Sequence, residues 1–321
     1  MDLVYFGSGA FGIPTLRALH GAHTLRAIVT QPDRPAGRGS RVTPTDVALW
    51  AAEHAPGVEV LKPERVNAPE VVARIRSLNA RAWVVIAFGQ KLGRSLLEGV
   101  FAINLHASLL PRWRGAAPIN AAVLAGDAET GNSVITLADR MDAGEVLGQS
   151  HRPITPEINA GELHDALAAD GPALVLGVLD RSGRADLRPE AQDESAVTIA
   201  PKLSKDDGWV DFAKGAEECR RRVHGLTPWP GVTATLTENG QSTPLKLLRV
   251  QPDTRESQQE AGTLFDPRAG LVSCGNGRAL KLLEVQAPGK RRMTWDEFVR
   301  GKRVSEGAKF TGRAGTGETH G

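Results

Sequence analysis

Cysteine is almost missing from the 321 residues: Cys219 and Cys274 are the two present, far apart, with no second Cys or His at ligand spacing. That scarcity argues against a disulfide framework and against a zinc site, and it predicts two buried, inert thiols. Long apolar runs are missing too. No uninterrupted stretch approaches the roughly 18 residues of a membrane-spanning helix. The opening "MDLVYFGSGAFG" carries neither a positively charged leader nor a small-residue cleavage site, so a cytoplasmic protein with no membrane association is expected. There is no internal repeat, and no single-signed charge, since the net charge is only +2.

That small net charge divides unevenly. Residues 201–321 hold 20 Lys and Arg against 15 Asp and Glu, whereas residues 1–200 hold 19 against 22. The basic clusters "CRRRVHG", "GKRRM" and "RGKRV" all fall in the second part. They suit either a solvated face or a polyanion footprint, and charge alone does not choose.

A chain of this length exceeds what one compact core usually holds, and a 41% hydrophobic, 24% charged composition is that of an ordinary globular protein. Two domains are therefore expected. In the first part, "LVYFG", "LRAIVT", "AWVVIAFG" and "FAINLH" read as strands alternating with the helical patterns "IPTLRALHG", "PTDVALWAAEH" and "APEVVARIRSLN". This predicts an α/β, Rossmann-like, mostly parallel sheet with helices on both faces, and ligands at the carboxyl ends of its strands. A helix is expected over roughly 161–179, followed by a polar, turn-rich connector. The short alternating runs "GVTATL", "PLKLLRV", "GLVSC" and "RALKLLEV" then predict a small C-terminal β-barrel, OB-like in kind. The expected division is a catalytic domain over 1–190, a linker over 191–206, a barrel over 207–310 and a disordered tail over 311–321.

"GSGAFG" (Gly7 to Gly12) follows the first strand and opens a helix, as a dinucleotide fingerprint would. The acidic residue that should end the second strand is absent, because Thr30, Gln31 and Pro32 stand there. A tight strand-to-helix turn serves the glycines equally well.

"INLHASLLPRWRGAAPINAAVLAGD" is more informative. Strand alternation sends Ile103 and Leu105 one way and Asn104 and His106 the other. Asn can donate to a developing oxyanion, and His can give or take a proton near neutral pH. No base-activated Ser or Cys accompanies them, so direct transfer between two bound substrates is the chemistry implied. Asp142, in "MDAGEVL", could complete the site, with Asp139 as the rival carboxylate. Ordinary turn chemistry also accounts for Asp142.

These stretches, with "TQPDRPAGRG", "PKLSKDDGWVDF" and "TPWPG", resemble the folate-dependent formyltransferases over nearly the whole chain, and in particular the branch acting on methionyl-tRNA. The resemblance implies transfer of formyl from 10-formyltetrahydrofolate to the α-amine of initiator methionyl-tRNA, without a metal and by a monomer. It implies catalytic roles for Asn104, His106 and Asp142, and association of Ser108, Leu109, Leu110 and Pro111 with the folate. It also implies entry of the basic loop after the second strand into the tRNA acceptor end, with Arg38 foremost. Ala107 departs from a usual Gly, and Gly93 from a usual Pro. Three other readings compete: a formyltransferase for a small amine such as an amino sugar or glycinamide ribonucleotide, a nicotinamide oxidoreductase, and a non-catalytic tRNA-binding module.

Overall fold

A computed structural model of the chain describes residues 1–36, 41–302 and 304–312. Arg38 and most of the expected tail lie outside the described residues. Two compact units emerge, neither contiguous in sequence: the first takes 1–115, 130–152 and 164–199, the second 116–129, 153–163 and 200–321.

In the first unit, β1 (Asp2–Gly7) carries Leu3, Val4, Tyr5 and Phe6 in sequence, all fully buried. A strand covered on both faces reads as a continuous apolar run, which is why "LVYF" does not alternate. With β2 (Thr24–Val29), β3 (Glu59–Leu61), β4 (Ala82–Ile86), β5 (Phe101–His106), β6 (Glu129–Thr136) and β7 (Val146–Pro153) it forms a seven-stranded sheet in the order β7-β6-β5-β4-β1-β2-β3. Pairing is parallel from β3 to β5. Helices over Ile13–Ala22, Asp46–His54 and Pro69–Ser77 connect these strands. Thr45 caps the second of them by accepting from the Ala48 N–H at 3.1 Å, and Pro69 starts the third, where a missing N–H costs nothing.

The sheet turns antiparallel at β6, which pairs with β5 so that His106 faces Ser133 and Ile103 faces Thr136. The chain thus re-enters the sheet at the edge where β5 left it.

The second unit has its own core, in which Val210, Phe212, Val223, Leu245, Leu247, Trp295 and Phe310 are all buried. Its strands follow the order β10 (Leu264–Asp266), β11 (Leu271–Ser273), β12 (Arg278–Gln286), β9 (Gln241–Glu256), β8 (Val232–Glu238), β13 (Lys309–Thr311). Closure comes from the ends: Leu264 N–H donates to Ala308 O at 2.8 Å, and Phe310 N–H to Gly262 O at 2.7 Å. Bulges in β9 opposite β12 bend that sixteen-residue strand round the barrel. Both cysteines are free and buried in this core. A hydrogen bond with Cys274, together with burial, pushes the Cys219 thiol up, away from thiolate chemistry.

Among the described residues, no helix is long and apolar enough to cross a membrane.

Candidate active site

β5 delivers the pair that the alternation pointed to. Ile103 and Leu105 are buried on one face, while half-buried Asn104 and buried His106 occupy the other at the strand's carboxyl end. The His106 imidazole is 7% exposed and spanned on both sides. Its Nε2 lies 2.9 Å from the Trp113 carbonyl, which can only accept, so Nε2 carries a proton. Nδ1 is left facing Asp142 Oδ2 at 3.6 Å, within ion-pair range but longer than a direct hydrogen bond.

Asp142 is itself held. Gly115 N–H donates to the same Oδ2 at 2.9 Å. The backbones of Asp142 and Trp113 are both left-handed, at φ of 54° and 62°, a region that non-glycine residues enter only when their surroundings impose it. Both partners of His106 therefore sit on constrained turns. Asp139 goes elsewhere: its side chain is 82% exposed and pairs with Arg94 at 3.5 Å, while its carbonyl accepts from Lys91. Of the two carboxylates, Asp142 is the one facing the imidazole.

Ser108, Leu109, Leu110 and Pro111 form the turn leaving β5. The Ser108 hydroxyl is fully buried and donates to Arg112 O at 2.7 Å. Two residues that sequence reading passed over organise this turn. Ser133 donates to Ser108 O at 2.6 Å and accepts from Leu110 N–H at 3.0 Å, and the Gln149 amide donates to both Leu110 O and Ser133 Oγ. Ser133 stands opposite His106 in the antiparallel register. The only signal for it is that pairing, which alternation patterns within one strand do not reveal.

Two of the three glycines of "GSGAFG", Gly7 and Gly12, have a packing job. A side chain at Gly12 would begin 2.0 Å from the Tyr5 hydroxyl, and one at Gly7 2.6 Å from it. The turn thus closes over a buried tyrosine, whose phenol burial pushes up. Gly93 also explains itself, because its N–H donates to Asn67 Oδ1 at 2.7 Å, a bond that proline could not make.

The chain is similar over most of its length to proteins of a known family. Residues 3–179 match the model of the formyl transferase family, and residues 202–303 match that of the formyl transferase C-terminal domain. The chain is 39% identical over 314 residues to the methionyl-tRNA formyltransferase of Geobacter metallireducens, covering 97% of this chain and 98% of that one. A second such enzyme, from Symbiobacterium thermophilum, is 40% identical over 318 residues, with 97% and 95% covered. Two solved structures share the fold at low identity. One is an N-formyltransferase from Helicobacter canadensis complexed with folinic acid and dTDP-3-aminofucose (TM-score 0.63, 13% identity, 89% of this chain and 98% of that one). The other is HypX from Aquifex aeolicus with tetrahydrofolic acid (TM-score 0.60, 15% identity, 97% of this chain), of which this chain spans half.

Proposed function

The chain belongs to the formyl transferase family, and from that premise we propose that it moves the formyl group of 10-formyltetrahydrofolate to the α-amine of methionine esterified to initiator tRNA. The observation that supports this reading is the Asp142 carboxylate facing His106 on the strand that also carries Asn104, in a chain similar over nearly its whole length to methionyl-tRNA formyltransferases.

The chemistry follows from the residues. The neutral amine attacks the formyl carbon, and the carbonyl oxygen becomes an oxyanion that Asn104 and His106 stabilise by donation. With Nε2–H committed to Trp113 O, Nδ1 is the imidazole nitrogen left for proton exchange with the reacting atoms, and the Asp142 carboxylate faces it at 3.6 Å. As the tetrahedral intermediate collapses, the carbon–N10 bond of the folate breaks, and the proton lost by the amine passes to that nitrogen through this pair. Positioning of the two substrates supplies the rest, on the order of 7–11 kcal/mol at best. The turn over Ser108 to Pro111 forms the folate-side wall, held in shape by Ser133 and Gln149. The loop containing Arg38 and the basic C-terminal unit meet the tRNA.

A panel of acceptors tests the reading. Labelled formyl donor is offered with methionyl initiator tRNA, an amino sugar nucleotide and glycinamide ribonucleotide. Label should pass to the tRNA-borne amine alone. Transfer to a small amine in its place overturns the assignment.

A further inference from the structure

The Asp142 backbone is left-handed, and at Gly144 a side chain would begin 1.7 Å from the Thr136 carbonyl. Beyond Gly144 the turn is tied by Thr136, whose N–H donates to Glu145 O and whose hydroxyl accepts from Glu145 N–H, both at 2.9 Å. Gln192 holds the middle of the turn. Its side-chain amide nitrogen lies 2.8 Å from Asp142 O and 2.7 Å from Gly144 O, so its two N–H groups occupy the carbonyls on either side of Ala143. The amide oxygen accepts from Arg114 Nε at 3.0 Å and Nη2 at 2.8 Å. This orientation is fixed by chemistry: turning the amide over would set its oxygen against two carbonyls and its N–H groups against a guanidinium.

Arg114 is buried although charged. Its Nη2 and Nη1 also donate to Glu194, at 2.9 and 3.4 Å, and Glu194 in turn takes exposed Arg140. Its chain neighbours are the groups already found on the reacting pair, the Trp113 carbonyl on His106 and the Gly115 N–H on Asp142. Thr198 fixes this stretch from behind, its hydroxyl accepting from Trp113 N–H and its carbonyl from Arg114 N–H, both at 2.9 Å. Residues 192 to 198, polar and turn-rich in sequence, thus brace both sides of the imidazole.

We propose that Gln192 is a positioning residue for the transfer reaction: clamped by Arg114, it sets the Asp142 turn so that the carboxylate faces His106. The inference rests on the functional reading above. Gln192 touches neither substrate and acts through Asp142. Its removal should therefore lower kcat while leaving both KM values nearly unchanged, and should cost nothing further once Asp142 is disabled.

The test is a double-mutant cycle with Gln192→Leu and Asp142→Asn, read as kcat for formyl transfer to methionyl initiator tRNA, with KM for each substrate. Gln192→Leu should lower kcat by about ten- to a hundredfold, the scale expected when a reacting group is misplaced. In the Asp142→Asn background the same change should cost less than about twofold. Gln192→Glu, which keeps an acceptor for Arg114 but presents oxygen to the two carbonyls, should behave like Gln192→Leu and supplies the test if the leucine variant does not fold. Equal cost of Gln192→Leu with and without Asp142, or a Gln192→Glu enzyme as fast as wild type, overturns the inference. A wild-type enzyme inactive on methionyl-tRNA overturns the functional reading itself, and the inference with it.

Discussion

Replacing Asn104, His106 or Asp142 by alanine should each lower kcat/KM about 100-fold or more in a folded protein, the scale seen when an oxyanion donor or proton-transfer group is lost. Asp139→Ala should stay within about threefold of wild type, because its carboxylate faces Arg94 and solvent. Steady-state kinetics on the four variants decides which carboxylate serves. A second histidine reports on stability. His224, 1% exposed, stands between two main-chain groups, with Nδ1 on Pro156 O at 3.2 Å and Val250 N–H donating to Nε2 at 3.2 Å. A proton on Nε2 would break the second bond. Burial and the neighbouring Arg220 and Arg249 push its pKa down from 6.5 to about 4, against an opposing pull from the Pro156 carbonyl and Glu162. The unfolded chain therefore binds more protons than the folded one between those values. Stability is complete above about pH 6.5 and falls as pH drops toward 4, by up to about 3 kcal/mol. Urea unfolding across that range should show this slope in wild type and lose most of it in His224→Gln. An unchanged slope would assign the effect to other groups.

At the scale of elements, most of the sheet was legible because its strands obey local rules. Unbroken apolar runs such as "LVYF" announced burial on both faces, and the alternation in "INLH" announced which side chains share a face at the strand's carboxyl end. The antiparallel β6 was not legible, since nothing within "ETGNSVIT" states its direction; that depends on where the preceding loop lets the chain re-enter. Gln192 was hidden for a similar reason, as a stretch rich in Arg, Glu, Gln and Asp reads as solvent-facing, while its value lies in hydrogen bonds to residues some fifty positions away. The glycine turn after β1 shows the opposite case, a familiar pattern put to a packing use. Gly12→Ala should cost about 1–3 kcal/mol by overpacking against the Tyr5 hydroxyl, and Tyr5→Phe, which removes that buried and unpartnered oxygen, should restore much of the loss. Thermal unfolding of the two single variants and the double variant checks it. A phenylalanine that brings no relief would mean that Ile86, also near the site of the new methyl, sets the limit.

For the whole molecule, the non-contiguous units carry a consequence for dissection. The helix over Pro118–Ala125 belongs with the C-terminal unit: Asn120 Nδ2 donates to Gly225 O at 2.7 Å, Arg221 to Ala125 O at 2.8 Å, and Leu124 packs on that unit's core. A chain cut near residue 204 should therefore expose this helix's apolar face and bind a hydrophobic dye, whereas Asn120→Ala in the full chain should only lower the melting temperature slightly. A truncated chain as well behaved as the parent would show that the helix has no need of its partner. Recognition of the tRNA is the other property at this scale. Arg38→Ala should weaken transfer and flatten its salt dependence without moving folate affinity, and Arg38→Lys should restore little if the contact is bidentate. The central claim, direct folate-dependent formylation of methionyl initiator tRNA by this chain, is tested most directly by a single-turnover experiment. Enzyme in excess is mixed with 10-formyltetrahydrofolate labelled in the formyl carbon and with methionyl initiator tRNA, and the amino acid is then released from the tRNA and identified. The account predicts labelled N-formylmethionine from the wild-type enzyme and almost none from His106→Ala; label remaining on the folate with wild type, or equal transfer by the two proteins, would contradict it.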